Sequence, residues 1–247
     1  MLKSERKQVI MSKLDESQFV TLDSLVTELE ISESTVRRDL DELEEEGKLR
    51  RVHGGAELTH SLQEELSNQE KAIKNIQEKS AIAQVAADLI GSNEVIFIDA
   101  GTTTELLLEH LNQSNLTVVT NSIHHATKLV DRNIKTIVIG GFVKHSTDAS
   151  IGQIALNQIK QMTVDKAFIG MNGIDEAYLT TPDLEEAAIK KAIIDNSRQT
   201  IVLADSSKIG QVAFAKVVPI ERATLVTTRS SASLLQKIKR KTKVIEV

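Results

Sequence analysis

Ser32-Glu33-Ser34-Thr35-Val36-Arg37-Arg38-Asp39-Leu40, with Arg50-Arg51-Val52-His53-Gly54-Gly55 shortly after it, decides how this 247-residue chain is read. Ser32 stands where a helix N-cap belongs, because its hydroxyl can accept from a free backbone N–H of the first turn. Val36, Leu40 and Leu43 then repeat at i, i+4 and i+7, which places them on one buried stripe. Ser34, Thr35, Arg37 and Arg38 are left on or near the exposed N-terminal half. Upstream, Thr21 caps a second short helix with Leu22, Leu25, Val26 and Leu29 on one face. Two short helices joined through Glu30-Ile31-Ser32 read as a helix-turn-helix, whose second helix enters the major groove of double-stranded DNA N-terminal end first. Capped two-helix hairpins also occur in ordinary helical cores, so this pattern alone leaves both readings open.

The following segment favours DNA. Gly47 suits the C′ position of a helix, and Lys48 to Ala56 alternates apolar and basic residues around a Gly-Gly turn. The spacing predicts a short hairpin, a wing that lays Arg50 and Arg51 against phosphate with His53 and Gly54 at its tip. Residues 1–58 nevertheless hold nine Lys/Arg against fourteen Asp/Glu, a local balance of −5. Glu42, Glu44, Glu45 and Glu46 fall in the second half of the recognition helix, pointing away from phosphate. Affinity then rests on a few arginines and on backbone amides at helix N-termini, so tight binding needs two or more copies. The basic tail from Lys237 to Lys243 reads as a solvated helix end.

Composition bounds the rest. The length admits one large or two modest domains. With no cysteine there is neither a disulfide framework nor a thiolate metal site, and the six histidines show no metal-ligand spacing. No cofactor is implied. No apolar run approaches the ~18 residues of a membrane span and no signal-peptide pattern opens the chain, so a cytoplasmic protein is expected. Aromatic residues make up 2% of the chain, which argues against base stacking on aromatic platforms and hence against a single-strand or RNA binder.

Organisation changes along the chain. Residues 1–57 form the DNA-binding domain, and Leu58 to Leu66 has helical apolar spacing without Gly or Pro, so residues 58–74 are expected to be a connecting helix or hinge. From about residue 75 helices and apolar strands alternate. Val95–Ile98, Leu116–Val119, Thr136–Ile139, Ala167–Ile169 and Ile201–Ala204 predict a mostly parallel open sheet buried on both faces, with shorter strands at Leu225-Val226 and Val244-Ile245. The strands end in Asp99-Ala100-Gly101-Thr102-Thr103-Thr104, Thr120-Asn121-Ser122, Gly140-Gly141, Gly170-Met171-Asn172-Gly173 and Asp205-Ser206-Ser207-Lys208. Small hydroxylated residues thus gather where open α/β sheets bind ligands. Gly101 to Thr104 leads into a helix expected near Glu105, whose free amides and hydroxyls suit a phosphate.

Thr35-Val36-Arg37-Arg38-Asp39-Leu40 followed by Arg51-Val52-His53-Gly54-Gly55-Ala56 resembles the N-terminal signature of the DeoR family of bacterial regulators, and the resemblance covers essentially the whole chain. Within that family the chain is most similar to the fructose operon repressors of Gram-positive bacteria, on overall similarity rather than on a diagnostic residue. The resemblance implies a winged helix-turn-helix domain followed by an α/β domain similar in fold to ribose-5-phosphate isomerase. It also implies a homo-oligomer, dimer or tetramer, that represses a carbohydrate operon and is relieved by a phosphorylated sugar, fructose 1-phosphate being favoured. By position, Gly101 to Thr104 would grip the phosphate and Asp205 to Lys208 would line the same pocket, Lys208 supplying a point charge. Asn121, Asn172 and Asp175 would contact sugar hydroxyls, Asp99, Thr120 and Gly141 belong to the polar turns, and Glu185 or Glu186 would face the pocket.

The alternative is an isomerase-like enzyme with an attached DNA-binding domain. Enediol chemistry needs a carboxylate base beside the carbon acid. Where the isomerase pattern asks for paired aspartates this chain reads Asn172-Gly173-Ile174-Asp175, and where it asks for a Glu before a Lys it reads Lys190-Lys191. An amide cannot accept the substrate proton, so a pocket retained for binding, without catalytic residues, is the expectation.

Overall fold

The computed structural model describes residues 2–17, 19–58, 62, 63, 65–230 and 233–247. Backbone contacts divide it into two compact units, Met1–Ser61 and Leu62–Val247.

The first unit packs three helices, α1 (Lys3–Ser17), α2 (Leu22–Leu29) and α3 (Glu33–Glu45), on a sheet of β1 (Phe19–Thr21), β2 (Leu49–Val52) and β3 (Gly55–Leu58) in the order β1-β3-β2. The Thr21 hydroxyl accepts from the Ser24 amide (3.1 Å) and caps α2, and Ser32 caps α3 by accepting from Thr35. Between them Glu30 turns the chain through a left-handed conformation (φ 52°). The expected stripe is buried: Leu25, Leu29, Val36, Leu40 and Leu43 meet in one cluster. Gly47 (φ +71°) closes α3 in a Schellman arrangement, its amide donating to Glu44 O (2.9 Å) and that of Lys48 to Leu43 O (2.9 Å).

Two elements here lie outside the sequence reading. Helix α1 contributes Ile10 and Leu14 to the core, and β1 pairs antiparallel with β3. The pairing explains Gly55. A Cβ at that position would lie 2.0 Å from the Val20 carbonyl oxygen, so only glycine lets β1 approach β3 so closely. The hairpin turn itself is His53-Gly54, one residue earlier than the Gly-Gly pair suggests.

The expected helix over Leu58 to Leu66 is not found among its described residues. Leu58 ends β3, Leu62 and Gln63 form a turn, and residues 65–67 have no regular structure; residues 59–61 and 64 lie outside the described residues. Leu62 is 52% exposed, so the apolar spacing has no core to bury against. The helix comes later, as α4 (Asn68–Ile73), opened by a Ser67/Glu70 capping box.

In the second unit α5 (Ile76–Ala87) leads into β4 (Val95–Ile98), α6 (Thr102–Leu107), β5 (Thr117–Thr120), α7 (Ile123–Asp131) and β6 (Lys135–Val138). The antiparallel pair β7 (Phe142–Lys144) and β8 (Ala149–Ile151) follows, then α8 (Gly152–Ile159) and β9 (Val164–Gly170). After them come β10 (Gly173–Ile174), β11 (Tyr178–Thr181), α9 (Leu184–Asp195) and β12 (Ser197–Leu203). The chain closes with β13 (Ala215–Pro219), β14 (Thr224–Thr227), α10 (Ser233–Ile238) and β15 (Val244–Glu246). Seven strands form one sheet in the order β15-β14-β12-β9-β4-β5-β6, and every adjacent pair is parallel. Phe97, Val119, Ala167, Ile169 and Val202 pack on one face and Ile96, Ile98, Val118, Phe168 and Ile201 on the other, as expected for a sheet covered on both sides. Strands β10, β11 and β13 make a small separate sheet that the sequence reading did not foresee.

Gly55→Ala should destabilise the first unit by about 1–3 kcal/mol, the range for forced overpacking. Hydrogen exchange should show early loss of protection in β1 and β3, with the β4 and β9 amides unchanged. Unaltered protection across the β1–β3 pair would contradict the close approach.

Candidate functional site

In the first unit the N-terminal half of α3 carries the expected side chains on its surface. Ser34 and Arg38 are exposed, and Arg38 makes no ion pair among the described residues. Arg37 lies along its own helix, donating to Glu33 Oε1 from Nε (2.9 Å) and Nη2 (2.5 Å). The Ser32 hydroxyl also meets those of Ser34 (3.0 Å) and Thr35 (2.8 Å), so both are partly engaged in the cap. On the wing, exposed Arg50 donates to Glu57 across the hairpin (2.6 Å). Exposed pairs such as these are worth little, so Arg37 and Arg50 can exchange a carboxylate for a phosphate at small cost.

Arg51 behaves differently from the expectation. Its guanidinium is ion-paired with Asp41 of α3, its backbone N–H donates to Glu44 Oε1 (2.7 Å), and its Nε is buried. The side chain braces the wing against α3 and does not point to solvent. His53 and Gly54 are both exposed at the wing tip. Two acids at the end of α3 have cationic partners: Glu42 pairs with Lys3 and Lys7, and the C-cap Glu46 with Lys7 and Lys48. Those ammonium groups hold the Glu46 carboxyl down to about 2.

In the second unit all five polar turns lie at the carboxyl edge of the sheet, because the strands that precede them are parallel. The chain runs outward from β4 through β5 to β6, then returns to the other side of β4 with β9. The gap between the ends of β4 and β9 is therefore the topological switch point, the preferred ligand crevice of an open α/β sheet. A buried ion pair closes its floor: Lys190 of α9 is bonded to Asp99 at the end of β4 and to the Gly170 carbonyl (3.0 Å) at the end of β9. Burial pushes the Lys190 ammonium down, but the carboxylates of Asp99 and Glu186 together raise it above the ordinary lysine value.

Helix α6 begins at Thr102, three residues before the expected start, with Gly101 as its N-cap. Around it stand cations that the sequence reading missed. Lys79, buried in α5, donates to Thr102 Oγ1 (3.2 Å) and to the Lys71 carbonyl. Burial and the charges of Lys208, Lys71 and Lys74, opposed by Asp205, push Lys79 down to about 8. The Lys208 ammonium is likewise lowered by burial and by Lys71 and Lys74, with Asp205 opposing. Asp205 is already committed, accepting from Asn75 Nδ2 (3.0 Å) and from the Ser207 amide (3.0 Å). The result is a cluster of lysines running from buried Lys79 to exposed Lys74, in which Lys71 pairs with Glu65, beside the hydroxyls of Thr102 and Thr103. The signal in the sequence was weak, because Lys71, Lys74 and Lys79 read as ordinary solvated helix residues.

Several other expected contacts prove to be braces. The Thr104 hydroxyl bonds the carbonyls of Asp99 (2.7 Å) and Gly101 (2.9 Å), Asn121 Oδ1 accepts from the Ala100 amide (2.9 Å), and Thr120 Oγ1 from the Ser122 amide (3.1 Å). Each fixes a turn from inside. Buried His125, beside Gly101, has its imidazole pushed down to about 4 by desolvation. Gly141 packs against Ile151 and Ala155, and Asn172 Oδ1 accepts from Thr181 Oγ1 (2.9 Å).

Asp175 is not brought to this edge. It sits in the β10–β11 hairpin tip, accepting from the Ala177 and Tyr178 amides (both 2.6 Å), and the Ala177 carbonyl bonds Ile220 near the amino end of β14. Glu185 is exposed near the start of α8. Its neighbour Glu186 is the buried one, bonded to Thr147 (2.8 Å) and Lys144 (3.1 Å). Lys144 also reaches Glu65 (2.5 Å) and Asp183 (2.9 Å). Among the described residues no group of three His, Asp or Glu side chains is placed to hold a metal ion.

Lys190→Ala should cost the second unit about 3–5 kcal/mol, since it strands a buried Asp99 carboxylate. Asp99→Asn combined with Lys190→Met should recover much of that loss in urea titrations. A single variant as stable as the parent would show that the pair is not what holds β4, β9 and α9 together.

The model of the DeoR-like helix-turn-helix domain matches residues 6–62, and that of the DeoR C terminal sensor domain matches residues 74–230. An uncharacterized HTH-type transcriptional regulator of Bacillus subtilis (strain 168), FruR, is 39% identical over 246 residues, covering 99% of this chain and 98% of that protein. The lactose phosphotransferase system repressor of Streptococcus mutans is 34% identical over 99% of this chain and all of its own length. Ribose 5-phosphate isomerase A of Methanocaldococcus jannaschii shares 19% identity over 55% of each chain at a TM-score of 0.40. The sorbitol operon regulator SorC of Klebsiella pneumoniae shares 15% over 93% of this chain and 98% of its own, at 0.42. No functional weight rests on likenesses this loose. With both family models matched in order along one chain, this protein belongs to the DeoR family of helix-turn-helix transcriptional regulators.

Proposed function

We propose that this chain is a cytoplasmic repressor of a carbohydrate-utilisation operon, that residues 1–57 hold the operator, and that a phosphorylated sugar bound within residues 75–247 releases it. The observation that carries the effector is the lysine cluster. Buried Lys79 and half-buried Lys208 are crowded and depressed in pKa, beside Thr102 and Thr103 at the switch point of the sheet. A bound phosphate dianion relieves that repulsion, and the α6 start and the hydroxyls supply further donors. Gly101, Thr102, Thr103 and Lys208 take the phosphate in this reading, joined by Lys71, Lys74 and Lys79. Asn172 stands nearest the sugar, and Asp99, Thr104, Thr120 and Asn121 shape the crevice without touching the ligand.

Fructose 1-phosphate is the proposed effector, supported by whole-length similarity to a regulator named FruR, with relatives named as lactose phosphotransferase system repressors beside it. The site binds and does not convert. Asn172 offers no base, and the Asp99 carboxylate is occupied by Lys190 and the Gly170 amide. Residues 58–74 are proposed as the connection through which occupancy reaches the operator-binding domain.

Arg38→Ala should weaken operator binding by roughly 1–3 kcal/mol and relax specificity at one position, the mark of a base reader. Arg50→Ala should weaken operator and scrambled duplex alike and lower the salt slope by about one. Titrations at several salt concentrations separate the two. Wild-type affinity in an Arg37→Ala, Arg38→Ala double variant would rule out α3 as the reading helix.

Effector and operator should oppose each other by the same factor, about 5- to 150-fold, because coupling is reciprocal. Lys208→Ala should weaken the effector and leave effector-free operator binding unchanged. Calorimetry should also show proton uptake near pH 8, since the phosphate raises the Lys79 pKa from about 8 and favours its charged form. Affinity is then highest below that value and falls as pH rises through it. Equal responses of parent and Lys208→Ala to every sugar phosphate would remove Lys208 from the site.

A further inference from the structure

The outermost strand of the large sheet is unguarded. β6 ends the strand order, and among the described residues nothing pairs with its outer edge. Natural sheets protect such edges with charges, proline or bulges, because free N–H and C=O groups recruit another strand. β6 reads Lys135-Thr136-Ile137-Val138, with a single charge at its start, and Ile137 and Val138 are both exposed although they point to opposite faces.

Apolar surface continues on either side of the edge. An open groove of about 360 Å³ runs between α7 and β6, lined by Ile123, Ala126, Val130 and Val138, with Val130 62% exposed. Beyond the end of β6 the Gln158 side chain bonds the Gly140 amide and carbonyl (both 3.1 Å), which sets α8 beside the strand. Ile154, one helical turn earlier, is 67% exposed, and Phe142 is 70% exposed two residues past Gly140. At roughly 150–200 Å² per large side chain, the exposed parts of these residues amount to on the order of 500 Å², against about 800 Å² per partner in a standard interface with its polar rim.

We infer that this face, the β6 edge with the outer side of α7 and the Phe142–Ile154 corner, docks a second copy of this chain by antiparallel β6–β6 pairing. A strand edge satisfies itself about a two-fold axis without needing a different partner surface, and a two-fold contact is the commonest solution in homo-oligomers. The charges agree. With the axis beside Ile137, Ile137 faces its own mate, Thr136 faces the partner's Val138, and the two Lys135 side chains stand about 13 Å apart at opposite ends of the ladder. A helix-turn-helix also reads half-sites in pairs, which a two-fold assembly supplies. The surface lies on α7, whose first turn is capped by Ser122 and whose buried His125 abuts Gly101, so it adjoins the proposed effector turn without depending on it.

The chain has no cysteine, so an introduced one can form a disulfide only with a second copy. Single cysteines at Thr136, Ile137 and Val138, oxidised in the full-length protein, should give a covalent dimer at one or more of these positions, whereas Lys191→Cys on α9 should not. Light scattering should show the mass of Ile137→Glu halved. Phe142→Lys, at a more exposed site, serves the same purpose if Ile137→Glu fails to fold. A monomeric parent protein, cross-linking as efficient at Lys191 as at β6, or an unchanged mass in folded Phe142→Lys would overturn the proposal.

Discussion

Seven parallel strands impose one consequence on everything around them: whatever follows each strand arrives at the same edge. Five turns, far apart along the chain, are collected there because β4, β5, β6, β9 and β12 all point one way. The reversal of direction between β4 and β9 opens a crevice among them. That opening has to be held, since two strand ends and a helix would otherwise settle independently. Lys190 holds it, by joining Asp99 and the Gly170 carbonyl from α9. A buried ion pair contributes little net stability, yet removing one partner is costly, so it acts mainly to keep these three elements in one arrangement.

The same economy governs the crevice rim. Thr104, Asn121 and Thr120 spend their side chains on backbone groups of the turns, whereas Thr102 meets the Lys79 ammonium. Few carboxylates are left to neutralise the lysines. Glu65 is shared by Lys71 and Lys144, and Asp205 is occupied by Asn75 and Ser207. Burial disfavours the Lys79 and Lys208 ammonium groups first and the neighbouring lysines add to it, against the opposing charge of Asp205. Such strain becomes useful when an anion arrives, because part of the binding energy is the relief of a repulsion already present.

In the first unit the arginines divide in a related way. Arg6 grips buried Asp39 in a bidentate pair (2.6 and 3.0 Å) and fastens α1 to α3, while Arg51 fastens the wing to α3. Arg37, Arg38 and Arg50 remain exposed. The acids that make this unit negative overall are largely tied to α1 and the wing, so the net charge of −5 describes its scaffold more than its reading surface.

Much of this was legible in residue order. Caps at Thr21 and Ser32, the Val36–Leu40–Leu43 stripe, the Gly47 stop and the apolar strands are local, set by hydrogen bonding and periodicity within a few residues, and all appear in the structure. Placement of the polar turns at strand ends was equally local. What tertiary structure decided was which side chains are free. Asp99, Thr104, Asn121, Arg51 and Glu186 carry groups that suit a ligand, but each is claimed by a partner ten to ninety-one residues away or by its own turn. Lys71 and Lys79 look like surface lysines until α4 and α5 pack beside α6. Asp175 moves away because its hairpin folds back onto the far end of β14. The sequence by itself determined the elements and the chemistry available to them. The long-range pairing of charges determined where that chemistry points, since a buried polar group takes whichever partner the fold brings within about 3 Å.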